Sequence, residues 1–209
     1  MRNRSSIGIR QYWERIRGEN TAPMRRDVDP GAIRAILPDL FILEQEQDGA
    51  IRFRLAGTRI CACFGRELRG SSFTDLWRAR QRKEVEGQLR AVMHNEVPMA
   101  AKISGTTWSG HPVSMEVTLL PMRSNGAHSD RIIGSLSTAI PLKDLEIEPL
   151  VTLAGIFFRW SDEGGSPTAS DDMHPIKDAV VVGVSSSTAG PTPGKPILFK
   201  MLNGGRTQP

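Results

Sequence analysis

The two cysteines are the residues whose chemistry is most easily tested against the sequence. Cys61 and Cys63 lie one residue apart in this chain of 209 residues. Such close neighbours cannot link distant parts of a fold, and a metal site needs further ligands at a suitable spacing. We therefore expect buried, unreactive thiols and no metal site. Redox sensing by an exposed thiol of low pKa is the alternative.

Catalytic chemistry has little support in the sequence. The chain contains no G-x-S-x-G, P-loop or H-E-x-x-H motif. Its isolated carboxylates, Glu67 and the pair Asp171 and Asp172, have no evident partner acid or base. The sequence thus predicts a protein that is not an enzyme and that holds no cofactor.

The positive charge is concentrated at the N-terminus. Residues 1–34 hold eight Arg against two Asp and two Glu, within a chain whose formal net charge is +4. Such a patch can bind nucleic acid or an acidic partner. No stacking aromatics are spaced through a basic run here, so we expect a solvated face. Nucleic-acid binding through this arm is kept as the weaker alternative.

The remaining composition is that of an ordinary globular domain, with 39% hydrophobic and 24% charged residues. The longest apolar runs, such as 151–158, fall far short of the ~20 residues needed to cross a bilayer. Residues 1–10 lack the apolar stretch of a secretion signal. We expect a reduced, cytoplasmic protein without a membrane span.

The elements that would position these residues follow from the hydrophobic spacing. Residues 8–20 predict a helix with one apolar stripe, formed by Ile9, Tyr12, Trp13 and Ile16. A short second helix begins at Asp29, which can cap it, and ends at Pro38. The longest helix is predicted from Asp75 to about Asn95, after small helical turns in 57–78.

Alternating apolar residues predict five strands. Residues 40–45 and 51–56 form a hairpin, and three later strands are expected at 97–103, 113–119 and 131–140. This order fits an α+β fold, a five-stranded antiparallel sheet with helices on one face. We divide the chain into an N-terminal arm with helices (1–38), a core (39–142) and a C-terminal extension (143–209). The extension is rich in Gly, Pro and Ser, so we expect it to be largely disordered, with apolar clusters at 179–184 and 197–202.

Two groups of motifs resemble the PAS domain. The run 64–77 is similar to the segment around the small central helices of PAS domains, where Glu-Leu-x-Gly is followed by Phe-x-x-Leu. Over residues 10–142 the chain also resembles an alphaproteobacterial PAS family first catalogued as a domain of unknown function. Its pattern is met in order by Trp13, Arg17-Gly18, Pro23, Arg25, Asp29-Pro30, Leu37-Pro38 and the run 53–58.

The resemblance implies a sensory or regulatory module, and some relatives regulate motility and cell-cycle signalling. PAS domains hold a ligand between sheet and helices, or dock onto a partner. Eight side chains are expected in that space, where they either line a small-molecule pocket or fill a core. They are Phe53, Leu55, Phe64, Phe73, Trp77, Ile103, Met115 and Val117.

Cofactor-dependent sensing by a PAS domain is not favoured here. The cysteine of flavin-binding relatives lies in an Asn-Cys-Arg-Phe context, whereas this chain reads Ile-Cys-Ala-Cys-Phe at 60–64. Haem binding usually needs an axial histidine, and none of the four histidines lies at an evident pocket position. We therefore expect neither group.

The leading hypothesis is a non-catalytic module that binds another protein, such as a histidine kinase or another regulator. Homodimerisation is a further expectation. The candidate partner or dimer surface is the stripe of the first helix (Ile9, Tyr12, Trp13 and Ile16), because Tyr and Trp are enriched at interfaces. The alternative is that the stripe covers the protein's own sheet. The second hypothesis is a sensor in which a ligand in the apolar pocket alters docking.

Overall fold

One antiparallel sheet organises the chain. The computed structural model describes residues 3–138 and 140–156, together with the backbone of 158–159. Seven strands form the sheet: β1 (Leu40–Gln45), β2 (Ile51–Ala56), β3 (Met99–Thr107), β4 (Pro112–Met122), β5 (Arg131–Thr138), β6 (Leu150–Gly155) and β7 (Phe158–Arg159). Six of them run in the order β2-β1-β5-β4-β3-β6, and β7 pairs with β3. Of the extension predicted at 143–209, residues 160–209 and both apolar clusters lie outside the described residues.

Within the described residues, four α-helices pack around this sheet: α1 (Arg4–Arg17), α2 (Thr58–Cys63), α3 (Arg82–Asn95) and α4 (Leu142–Ile147). The main core lies between the inner face of the sheet and α2, α3 and the turns that join them. One side of α3 faces this core, and its apolar residues there are 0–3% exposed: Val85, Leu89, Val92 and Met93. The helix α1 covers the opposite face, on β4 and β5.

The predicted α+β fold with an antiparallel sheet is confirmed, but the predicted number of five strands is wrong. The apolar segment after Pro149 forms β6, which pairs with β3 and extends the sheet beyond residue 142. Burial explains why this segment orders: Leu150 and Leu153 are 3% and 0% exposed and belong to the main core. The alternating pattern is short here and borders a Gly-rich region, so the sequence alone placed it in the extension.

The long helix begins later than predicted. The chain is extended at Trp77, and the backbone N–H of Arg78 donates to the carbonyl of Leu153 at 3.1 Å. A short 3₁₀ turn then leads into α3 at Arg82. Residues 77–78 are therefore held in an extended conformation by their backbone contact with β6, and the helix begins only after them.

Two glycines allow close packing that a side chain would prevent. A Cβ at Gly134 would collide with the carbonyl of Thr118 and with the ring of Phe41. A Cβ at Gly57 would meet the carbonyls of Leu37 and Pro38 within 2.5 Å or less. Gly57 also donates its N–H to the carbonyl of Leu40 at 2.8 Å, so it joins the N-terminal segment to the sheet.

A carboxylate at the end of α3 ties three distant segments together. Glu96 has a positive φ of 52°, a conformation that side chains rarely adopt. Its carboxylate accepts hydrogen bonds from Arg123, Thr21 and Ser129. Hydrogen bonding by Arg123 is the largest cause that lowers the pKa of Glu96 to about 2. The network offsets the backbone strain and holds the N-terminal segment against the end of β4.

Candidate functional site

Seven of the eight predicted pocket residues lie in the main core. Phe53, Phe64, Phe73, Trp77, Ile103, Met115 and Val117 are all 6% exposed or less. Their rings contact one another, with centroids 5.6 Å apart for Phe53 and Phe73 and 6.0 Å for Phe73 and Trp77. Phe41 completes the aromatic cluster against Phe53 at 5.9 Å. In this conformation these aromatic side chains pack on each other.

Leu55 is the exception, because the prediction that it faces the space between the sheet and the helices is wrong. It is 44% exposed, although the alternation of β2 predicted that it would point inward. The pairing of β1 with β2 shifts between Ile42 and Leu43, so that Ile42 faces Leu55 and Leu43 faces Phe53. One extra residue, Arg54, lies between these two pairs, and this bulge turns Leu55 to the other face.

The thiols are poor nucleophiles in this setting. Burial raises the pKa of Cys61, and the neighbouring carboxylate of Glu67 raises it further. Burial likewise raises the pKa of Cys63 to about 11. A thiolate is the reactive form of cysteine, so both residues are protonated near neutral pH. Among the described residues no group of three or more His, Cys, Asp or Glu is placed to hold a metal ion.

The apolar stripe of α1 lies against the protein's own sheet. Ile9, Tyr12 and Trp13 are 0%, 6% and 2% exposed, and Ile16 is half-buried beside them. The indole N–H of Trp13 donates to the carbonyl of Pro121 at 2.8 Å. The stripe is therefore not an exposed partner or dimer surface in this fold. It matches the alternative, because the outer face of β4 and β5 is apolar and needs a cover.

An arginine cleft of about 420 Å³ borders the exposed side of α1. We use this name for the cleft between α1 and residues 32–36, lined on its rim by Arg4, Gln11 and Arg15. The guanidinium of Arg15 lies over the ring of Tyr12, 5.2 Å from its centroid. The floor is apolar and includes Ile33 and Ile36. The arrangement can bind a negatively charged group beside an apolar one.

A side cleft of about 380 Å³ lies at the other edge of α1, between α2 and the end of β5. Its wall contains Asp39, a residue only 5% exposed. The hydroxyl of Ser5 and the guanidinium of Arg59 donate to this carboxylate at 2.5 and 2.6 Å. The wall also contains Ser137, whose buried hydroxyl has no hydrogen-bond partner among the described residues. Neither cleft is lined by any of the eight predicted pocket residues.

An apolar patch is exposed at the β3–β4 turn. The Trp108 patch consists of Trp108, Ile147 and Val151, which are 68%, 82% and 57% exposed. The N–H of Trp108 donates to the carbonyl of Pro149 at 3.1 Å, and this bond joins the β3–β4 turn to the segment that carries Ile147 and Val151. The one signal of this patch in the sequence is a tryptophan between the strands predicted at 97–103 and 113–119.

The loop that carries the Trp108 patch is fixed by Glu148. Its carboxylate accepts a hydrogen bond from the hydroxyl of Thr107 at 2.8 Å and lies 2.9 Å from the Nδ1 atom of His111. The hydrogen bond from Thr107 is the largest cause that lowers the pKa of Glu148 to about 2. The patch is therefore presented by a loop that already has a defined conformation.

The described residues include no helix long and apolar enough to cross a membrane. No curated protein matches the chain. Among solved structures, the light-state structure of the blue-light photoreceptor Aureochrome1 LOV is similar, with 10% identity and a TM-score of 0.39. That match covers 56% of this chain and 91% of the photoreceptor chain.

The family is shown by sequence. The family model described as PAS domain matches residues 1–137, about two thirds of the chain. The match includes α1, so the helix that covers the sheet lies within the family's own boundaries. The chain accordingly belongs to the PAS-domain family, whose members are sensory modules of signalling proteins.

Proposed function

We propose that this PAS domain is a non-catalytic regulatory module that acts by binding another protein in bacterial signalling. The partner would be a regulator of motility or of the cell cycle, such as a histidine kinase. The observation that carries the proposal is the Trp108 patch, where three large apolar side chains are exposed on segments that the hydrogen bond from Trp108 to Pro149 joins. Exposed apolar patches mark interaction sites, and Trp is enriched among the residues that dominate binding energy.

The ordered loop around the Trp108 patch favours a role in binding rather than that of a solvated connection. The contacts of Glu148 with Thr107 and His111 hold the loop in one conformation. Binding to an ordered surface avoids part of the entropy cost of association. A partner with an apolar surface and a basic rim would fit best, because Glu146 and Glu148 flank Ile147.

The proposal is tested by affinity capture from the cells of origin, with quantitative mass spectrometry of the captured proteins. Wild-type protein is compared with Trp108→Ala and with Arg26→Ala, a control whose side chain is 82% exposed and far from the patch in sequence. We expect one or more proteins to be captured by the wild type and the control and lost with Trp108→Ala. A titration with the purified partner should show a Kd increase of about 30-fold or more. Identical capture by all three proteins would contradict the proposal.

A small-molecule sensor is the second candidate, and the side cleft favours it. Its wall contains a buried hydroxyl without a partner, that of Ser137, beside the charged pair Asp39 and Arg59. Buried polar groups are nearly always hydrogen-bonded, so a ligand that bonded to Ser137 would complete the site. Native and denaturing mass spectra of the purified protein test this candidate. Extra mass that leaves on denaturation supports it, whereas the bare chain mass in both spectra counts against it.

We also propose a cytoplasmic location, where the two thiols stay reduced. The protonated state of Cys61 and Cys63 supports this, since neither thiol is activated for disulfide exchange. Nucleic-acid binding by the N-terminal arm is not favoured. Arg10 pairs with Glu14 within α1, and Arg17 stacks on Trp13, so part of the predicted basic patch has local partners.

A further inference from the structure

The arginine cleft combines an apolar floor with two charges that have no acidic partner among the described residues. Arg4 and Arg15 form no ion pair with any described residue, although both are exposed on the rim. By contrast Arg10, on the same helix, pairs with Glu14 at 2.5 Å. Unpaired cations on the rim of a concavity attract a ligand of opposite charge.

Small residues give the cleft its depth. Gly8 faces Ile36, and a Cβ built at Gly8 would lie 3.4 Å from its Cδ1 atom. Ala32 and Ala35 line the other wall, and both are exposed. The floor is Ile33 and Ile36, which are 5% and 8% exposed. A volume of about 420 Å³ accommodates two or three side chains of a bound segment.

We propose that the arginine cleft binds an acidic amphipathic segment of a protein partner, with apolar side chains on Ile33 and Ile36 and carboxylates on Arg4 and Arg15. Amphipathic segments bind grooves in this way, by apolar anchors with flanking charges. Nucleic acid fits less well. The rim supplies two cations for phosphates, and the aromatic ring in the cleft, Tyr12, is 6% exposed and covered by Arg15, so it offers no face for base stacking.

This inference rests on the proposed function, because it assumes that the partner is a protein. It uses a different surface from the Trp108 patch, so the two can fail separately. Loss of binding in Trp108→Ala concerns the patch alone, and loss in variants of Arg4 and Arg15 concerns the cleft alone. Binding that neither change affects contradicts both proposals.

The test is a selection from a phage-displayed library of random 16-residue peptides against the full chain. Wild type is compared with the charge reversal Arg4→Glu/Arg15→Glu and with the control Arg25→Glu/Arg26→Glu. The control makes the same charge change at exposed residues outside the cleft. We expect wild type and control to select peptides rich in Asp, Glu and large apolar residues. The charge reversal should lose that preference, and thermal melts check that all three proteins are folded.

A selected peptide is then titrated by fluorescence anisotropy. The charge reversal should raise its Kd about tenfold or more in low salt, with a smaller effect at high salt, because exposed charges are screened. Ala32→Phe should also raise the Kd, since it fills the cleft without changing the charge. Selection of basic peptides, or equal affinity of wild type and charge reversal, would overturn the proposal.

Three other occupants are outcomes of the same experiment, and each overturns the proposal. Tighter binding of a single-stranded oligonucleotide than of any selected peptide, abolished by the charge reversal, assigns the cleft to nucleic acid. If the protein self-associates with rising concentration and only the charge reversal abolishes this, the cleft binds a second copy of the chain. The third occupant is the chain's own C-terminal extension. In that case the peptide should bind much more tightly once the acidic residues of the extension are changed to the amides: Asp162, Glu163, Asp171 and Asp172.

Discussion

Replacement of Trp13 by alanine tests whether α1 is part of the core. Trp13 is 2% exposed, and a buried Trp removes about 150–250 Å² from water. At about 25 cal/mol per Å² this corresponds to about 4–6 kcal/mol. Residual burial in the denatured state lowers the figure to about 3–5 kcal/mol, the usual cost of a large aromatic-to-alanine change in a core. We therefore expect Trp13→Ala to lower the free energy of unfolding by about 3–5 kcal/mol.

Chemical denaturation followed by circular dichroism measures this change, and a thermal melt should show a Tm lower by about 6–20 °C. The matched control is Trp108→Ala, the same substitution at a side chain that is 68% exposed. It should change the free energy of unfolding by no more than about 0.5 kcal/mol. Trp13→Phe removes the hydrogen bond to Pro121 together with part of the ring and should cost about 1–3 kcal/mol.

Sedimentation of the same variants measures their self-association, and it can refute the assignment of the α1 stripe to the core. If Trp13→Ala kept the wild-type stability but abolished self-association or partner binding, the stripe of α1 would be an interface after all. Equal destabilisation by Trp13→Ala and Trp108→Ala would also contradict the assignment of one to the core and the other to the surface.

Three further predictions follow from individual contacts. Gly87→Ala should stabilise the protein by about 1 kcal/mol in denaturant melts, because a Cβ there meets no atom within 4 Å in an exposed turn of α3; a loss of stability would contradict it. Gly134→Ala should destabilise it by about 3 kcal/mol or more, since the Cβ collides with Thr118 and Phe41, and a wild-type melt would refute the packing described. The pKa of Glu96 is about 2 in the folded protein against 4.5 ordinarily, so its stabilising contribution is complete above about pH 4.5 and is lost as the pH falls towards 2. Glu96→Gln should therefore destabilise the protein by about 1–3 kcal/mol at pH 7 and flatten this part of the stability profile, and an unchanged profile would show that other carboxylates such as Glu148 account for it.

Periodic patterns account for most of what could be predicted. The strands β3, β4 and β5 and the helices α1 and α3 follow from alternation or helical spacing, because one face of each is buried. Alternation of apolar and polar residues does not reveal a β-bulge, so the bulge at Arg54 and the exposure of Leu55 could not be predicted from it. It also cannot say which surface an apolar stripe covers, since a neighbouring sheet and a second chain bury it equally well.

The clefts and the Trp108 patch lay beyond sequence reasoning for a different reason. Each joins residues from different segments of the chain, and for Trp108 and Ile147 the meeting of the two segments depends on the pairing of β6 with β3. That strand was itself missed. Whether Arg4 and Arg15 have acidic partners within the described part of the chain is likewise a property of the folded surface, whereas the N-terminal excess of arginine is visible in the composition.

Site-specific photo-crosslinking inside the cells of origin tests the central claim, protein binding through the Trp108 patch, most directly. A photoreactive phenylalanine analogue replaces Trp108 in one strain and Lys102, an exposed residue on the outer face of β3, in another. We predict discrete cross-linked protein products from position 108 that are absent from position 102. No product from position 108, or the same products from both positions, would contradict the claim.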